Sequence, residues 1–272
     1  MAEDSAYRPE NLEGGELVHR YGPNVHILAD PYHLSLLATL SAENTVQPRV
    51  NQLVKTLYAD MVARVAATEF PVAEQSIRTR MIEHTPEGVF NGSCIDRSTS
   101  VVCVDIARAG MLPAQICFDT LNHVLDPAGV RQDHLVMNRV TDDAGQVTGA
   151  RIFGEKTGGN VDGRILLFPD PMGATGTSLI KAINFYKNTA GGTPSRIITM
   201  NLIVTPEFVQ NVLSAHPDAT IYAFRLDRGL SSPEVLETIP GTYPSKECGL
   251  TDTQYIVPGA GGLGEVINNV FV

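Results

Sequence analysis

No stretch constrains the fold more than the run from Arg164 to Ile180, Arg-Ile-Leu-Leu-Phe-Pro-Asp-Pro-Met-Gly-Ala-Thr-Gly-Thr-Ser-Leu-Ile. Ile165 to Phe168 is short, uncharged and followed at once by loop residues, which predicts a buried strand. Asp170 and Pro171 end it, Gly173 and Gly176 open backbone conformations closed to other residues, and Leu179, Ile180 and Ile183 begin a helical spacing. A strand, a tight loop and a helix N-terminus bring together unpaired N–H groups and the positive end of a helix dipole. With the hydroxyls of Thr175, Thr177 and Ser178 alongside, that junction suits a phosphate. An acidic residue at the strand end can hold sugar hydroxyls. A Walker A loop is excluded, because no lysine lies between Pro171 and Ile180.

A second junction of the same kind precedes it. Val101 to Ile106 predicts a strand that runs into Ala107-Arg-Ala-Gly110 and then a helix from Met111 to about Leu121. A guanidinium at a helix N-terminus adds fixed charge and paired donors to a site already suited to phosphate oxygens, which makes Arg108 a candidate. A further strand, His134 to Met137, delivers Arg139 into a polar, glycine-containing stretch that reads as a mobile hairpin returning at Lys156.

The remaining pattern alternates strands and helices. Pro48 opens an amphipathic helix carrying Val50, Leu53, Val54, Leu57, Met61, Val62 and Val65. Arg196 to Val204 predicts a strand, Pro206 to Ala215 a helix and Ala219 to Leu226 a last strand, with a weaker strand at Gln75 to Met81. This is an α/β chain: a mostly parallel sheet with helices on both faces and a site at the C-terminal edge of its strands. Residues 1–24 read as an N-terminal arm and 25–272 as one domain. Two histidines, His26 and His33, could share a helix face, but no third ligand is spaced to join them, so packing is the expected role.

At 272 residues and 43% hydrophobic the chain can bury a sizeable core. A net charge of -10 argues against nucleic acid or an anionic membrane as the main partner, and cations must be concentrated locally if a polyanion is bound. No apolar run approaches the length of a membrane span and the first residues lack a leader pattern, so a soluble cytoplasmic protein is expected. The four cysteines show no C-x-x-C pairing, which points to reduced thiols and to no metal site. Near the end, Gly259-Ala-Gly-Gly-Leu-Gly264 fits G-x-G-x-x-G, yet only 8 residues follow Gly264. No βαβ unit fits in that space, so dinucleotide binding is rejected.

Taken together, Arg108-Ala-Gly, Asp170-Pro-Met followed by Ala174-Thr-Gly, and Tyr255-Ile-Val-Pro-Gly resemble, in that order, motifs of the uracil phosphoribosyltransferases, which have a type I phosphoribosyltransferase fold. The resemblance covers about Val25 to Val266 and implies a small C-terminal hood beside an N-terminal helical one. It implies transfer of 5-phosphoribosyl from phosphoribosyl pyrophosphate to uracil, giving UMP and pyrophosphate. In this reading the donor is held by Asp170, Pro171, Met172, Gly173, Ala174, Thr175, Gly176, Thr177 and Ser178. Arg108, Arg139 and Asp170 are the catalytic set, and Ile256, Gly261, Gly262 and Leu263 hold the base. Mg²⁺ would enter with the pyrophosphate, and the implied assembly is a homo-oligomer, at least a dimer.

The chain also departs from the family. Ser41-Ala42 stands where relatives have Arg-Asp, Asn138 and Val140 flank Arg139 in place of the usual residues, and Gly262 and Leu263 replace an aspartate and an alanine. Ser231 to Gln254 is longer than in relatives and reads as an inserted surface loop. The replaced aspartate leaves two alternatives: a phosphoribosyltransferase for another base, or a regulator that binds the donor without turnover. Glu265, three residues on, is a candidate to stand in for it.

Overall fold

Alternation along two strands explains the layers. In β6 (Val101–Ala107), Val101 and Cys103 enter one core while Val102 and Val104 enter another. In β9 (Ile165–Pro169), Ile165 and Leu167 face the first core and Leu166 and Phe168 the second. A strand buried on both faces needs a layer on each side. The computed structural model, which describes residues 4–141 and 147–270, supplies both.

The chain begins with two short 3-10 turns (Ser5–Tyr7 and Pro9–Asn11) and a hairpin of β1 (Leu12–Glu13) and β2 (Glu16–Leu17). β3 (Val25–Ile27), α1 (Pro31–Ser41) and α2 (Arg49–Glu69) follow. Then come the hairpin β4 (Val72–Arg78) and β5 (Val89–Ile95), β6, α3 (Met111–Leu121), β7 (Val130–Thr141) and β8 (Val147–Lys156). After β9 the order is β10 (Met172–Gly173), α4 (Thr177–Asn188), β11 (Arg196–Val204), α5 (Pro206–Ala215) and β12 (Ala219–Leu226), then α6 (Pro233–Leu236) and α7 (Leu263–Asn268).

The main sheet runs β3-β12-β11-β9-β6-β7-β8, parallel throughout except for the antiparallel β7–β8 edge, with β10 added beside β11. Residues of α1, α2, α3 and α7 fill the first core, and those of α4 and α5 the second. The α/β reading with helices on both faces therefore holds. Asp30 caps α1 by accepting from the backbone N–H groups of Tyr32 and His33, and Pro31 sits at its first position.

His26 lies on β3 and His33 on α1, so they share no helix. Each stacks on a ring of β12, His26 on Tyr222 at 4.5 Å and His33 on Phe224 at 4.3 Å between centroids, which fits the packing role. The weak strand is β4, which starts three residues earlier than the pattern suggests and forms its own two-stranded sheet with β5.

Residues 231–254 do more than cover the surface. Val235, Leu236 and Glu247 are buried, because this stretch wraps the fully buried Arg228. That guanidinium donates to Glu247 Oε1 at 2.9 Å, to Asp4 Oδ1 at 2.8 Å and to the carbonyls of Val235, Leu236 and Thr238. The arm is thereby fastened to the far end of the chain, and Tyr7 adds bonds to both the carbonyl and the N–H of Leu226.

Candidate active site

Both strand-to-helix junctions open at the C-terminal ends of neighbouring strands, β6 and β9, onto one cleft of about 640 Å³. Asp170, Met172 and residues 174–178 line it from one side, and Arg108 with Ala109 from the other. The third wall is C-terminal: Tyr255, Ile256 and residues 261–265. The donor and base residues expected from the sequence meet here, with two exceptions. Pro171 and Gly173 are buried and do not line the cleft. The Pro171 carbonyl accepts from the N–H groups of Leu202 and Ile203, and Gly173 pairs with Val204, so both seat the loop on β11.

Local geometry makes the loop at 174–178 a cradle of N–H groups. Gly176 takes φ +79° as the cap of α4, a left-handed turn that favours glycine. The carbonyls just before it are drawn away, Ala174 O to the Thr205 hydroxyl at 2.7 Å and Thr175 O to the Asn211 amide at 3.0 Å. The first-turn N–H groups of α4 have no carbonyl four residues back to bond, and the Thr175 and Thr177 hydroxyls, 3.0 Å apart, stand beside them. This is the arrangement that binds an anion.

Asp170 is held at the end of β9 through its backbone. Its N–H donates to Met200 O at 3.0 Å, and its carbonyl accepts from Asn201 Nδ2 at 2.6 Å. Its carboxylate Oδ1 accepts from Met172 N at 3.4 Å. Asn201 also lines the cleft. As a buried amide inside β11, which also buries the polar Thr199, it gave no distinct signal in the sequence.

The Arg108 turn is close-packed. The peptide bond before it is cis, and Gly110 is required behind it: a β-carbon there would lie 2.8 Å from Ile106 N and 3.1 Å from Pro169 O. The two junctions thus touch through Gly110 and Pro169. Arg108 is half exposed, and its Nη2 lies 3.9 Å from Glu265 Oε1. Arg139 lies on β7 opposite Ala150, but its side chain lies outside the described residues, as does the tip at 142–146 of the predicted mobile hairpin.

The C-terminal wall rests on the Arg108 turn. A β-carbon at Gly264 would lie 3.1 Å from Ala109 Cβ. Ile256 and Leu263 belong to the first core, which fixes the wall at both ends. Between them, Gly259 N donates to Asp227 Oδ2 at 2.7 Å and Gly259 O accepts from Arg225 Nη2 at 2.9 Å. Residues 231–254 buttress the same wall, since Val257 N donates to Gly249 O and Leu250 bridges to Ile256. No group of three or more His, Cys, Asp or Glu side chains able to hold a metal occurs among the described residues. No helix among them is long and apolar enough to cross a membrane.

Comparison with known proteins points the same way. A family model described as uracil phosphoribosyltransferase matches residues 27–242. The uracil phosphoribosyltransferase of Pyrobaculum arsenaticum is 36% identical over 100 residues, 37% of this chain and 37% of its own length. That of Mycoplasmoides gallisepticum is 35% identical over 106 residues, 39% of this chain and 40% of its own. The matched stretch therefore spans well under half of these two relatives. The uracil phosphoribosyltransferase of a Roseiflexus species (strain RS-1) is 28% identical over 84% of this chain and 89% of its own. Among solved structures, the AQ2163 protein of Aquifex aeolicus has the same fold, with a TM-score of 0.67 at 19% identity, covering 91% of this chain and 99% of that one.

Proposed function

Because the chain belongs to the uracil phosphoribosyltransferase family, we propose that it transfers the 5-phosphoribosyl group of phosphoribosyl pyrophosphate to uracil, releasing pyrophosphate and forming UMP. The observation that carries this reading is the convergence of two phosphate-type junctions and the C-terminal wall on one cleft. In it the N–H groups and hydroxyls of residues 174–178 hold the 5-phosphate, Asp170 the ribose hydroxyls, and Arg108, with Arg139, the pyrophosphate. Ile256, Gly261, Gly262 and Leu263 present the base. The pyrimidine is the nucleophile, so the protein's part is to orient, to supply positive charge and to exclude water.

Mg²⁺ bound through pyrophosphate oxygens would offset charge on the leaving group. A hard cation takes oxygen ligands, and the Asp170 carboxylate at the cleft suits it better than any nitrogen or sulfur group there. A cytoplasmic enzyme without nucleic-acid or membrane partners goes with these substrates. A homodimer as the minimum assembly goes with the β4–β5 sheet, which presents Ile77 opposite Phe90, both about half exposed.

UMP formation from uracil and the donor with Mg²⁺ is the test, and absence of product from folded protein at millimolar uracil defeats the reading. Arg108→Ala and Asp170→Ala should each lose donor binding with unchanged melting; wild-type activity in both would discredit the site. Gly262 in place of the family aspartate favours a second reading, transfer to another base, and a base panel read by pyrophosphate release separates the two.

A further inference from the structure

The C-terminal wall is held at its middle by an ion pair that lines no part of the cleft. Asp227 is 2% exposed, and both its oxygens are taken by the fork of Arg225, Nε to Oδ1 at 2.6 Å and Nη2 to Oδ2 at 2.8 Å. The pair then grips both backbone polar groups of one residue more than 30 positions away: Asp227 Oδ2 accepts from Gly259 N and Arg225 Nη2 donates to Gly259 O. Arg225 Nη1 also reaches Ser41 Oγ at 3.3 Å, tying in the end of α1.

Gly259 needs such a grip. Its φ is +62°, and a β-carbon would lie 2.2 Å from Ile256 O, so the chain doubles back on itself here. Ile256 lies three residues before this turn, and residues 261–263 begin two residues after it. A rotation at Gly259 would therefore shift all four. Desolvating an ion pair is costly, and apolar packing could close a loop without it. What packing cannot do is fix a donor and an acceptor of the same residue in direction.

We propose that Arg225 and Asp227 are positioning residues for the nucleobase. They touch no substrate, and by fixing Gly259 they set the direction of the backbone groups that Ile256 and residues 261–263 present to the acceptor. This rests on the assignment of that wall to the base. The donor loop sits across the cleft on β9 and α4, and among the described residues the side-chain hydrogen bonds of the pair go to Ser41 and Gly259 and not to that loop, so the effect falls on one substrate only.

The test compares the full chain with Arg225→Met, Arg225→Lys and Asp227→Asn. Three quantities are measured: the KM for uracil at saturating donor, calorimetric donor binding, and backbone amide exchange over residues 255–264. In Arg225→Met the KM for uracil should rise about tenfold or more while donor affinity stays within about twofold. Amide exchange should quicken at Gly259 and its neighbours but not in β6, β9 or β11. Arg225→Lys should recover part of the KM. An unchanged KM for uracil, a parallel loss of donor affinity, or unchanged exchange at Gly259 overturns the proposal. If Arg225→Met fails to fold, the two conservative variants carry the same comparison. If the wild-type chain makes no UMP, the uracil reading fails by itself. Amide exchange, which needs no substrate, still decides whether the pair holds Gly259, and the base on which the wild-type chain turns over replaces uracil in the KM comparison.

Discussion

Gly262 and Glu265 compete for one volume: a β-carbon at 262 would lie 2.6 Å from Glu265 Oε2. The Glu265 side chain folds back over the place where relatives carry an aspartate, and it does so beside Arg108. That ion pair is long and half exposed, and pairs of this kind contribute roughly 0–1 kcal/mol, so Glu265 is easily displaced.

Restoring the aspartate should therefore be tolerated sterically. Gly262 has φ -78°, open to any residue, and the obstructing atom ends a flexible side chain. Gly262→Asp should stay within about 0.5 kcal/mol of wild type by urea unfolding. It should raise the KM for the donor, because two carboxylates then face one guanidinium. Adding Glu265→Ala should reverse that rise; a double variant no better than the single one contradicts the shared-volume account.

Gly176→Ala strikes the donor loop. A β-carbon there meets Val212 Cγ2 at 2.8 Å, and the left-handed φ costs a non-glycine residue about 1–2 kcal/mol. A stability loss of about 1–3 kcal/mol and at least about tenfold weaker donor binding are expected, read by thermal melting and donor titration.

Arg228→Met removes the cation from a buried cluster. Glu247 would be left fully buried with no opposite charge, and the usual cost of breaking such a group is about 3–5 kcal/mol. Equilibrium unfolding measures this. A loss below about 1 kcal/mol would mean that the carboxylates take up protons or water at little cost.

Asp105 gives a pH signature. It is buried on β6, accepts from His134 at 2.9 Å, and its Oδ1 has no partner among the described residues. Burial holds its carboxyl above the ordinary carboxylate range, and the His134 bond opposes this only in part. A raised folded pKa means stability present at acid pH and lost as pH climbs through that value. Asp105→Asn should therefore match wild type near pH 4 and melt higher than it at pH 7, the gap widening between. A gap of the opposite sign would mean that a charged His134 dominates the pair.

The junction after β9 was legible because its signals are local. A buried strand, a left-handed glycine and a helix start occupy consecutive residues, so Ile165 to Ile180 announces itself without knowledge of the rest of the chain. Arg108 was legible for the same reason. Pro171 and Gly173 were placed in the cleft because adjacency alone cannot separate residues that seat a loop from those that line it. Asn201 was missed since its partner, the Asp170 carbonyl, is 31 residues away. The clamp on Gly259 and the Arg228 cluster were missed on the same grounds. Their partners come from the arm, from Ser41 at the end of α1 and from residues 231–254, and the polar arm and 231–254 read as surface until they are found packed round the buried Arg228 guanidinium.

The bond from Asp4 to Arg228 has a consequence in time. The two residues are separated by 224 positions, and Tyr7 meets Leu226 across 219. A chain made from its N-terminus has both strand-to-helix junctions before either bond can close, and it has the C-terminal wall only after residues 255–265 emerge. Loop closure over such separations is slow relative to local pairing. The C-terminal wall is thus the last part of the cleft to take shape, and a newly made chain has its two strand-to-helix junctions before it has the wall that faces them.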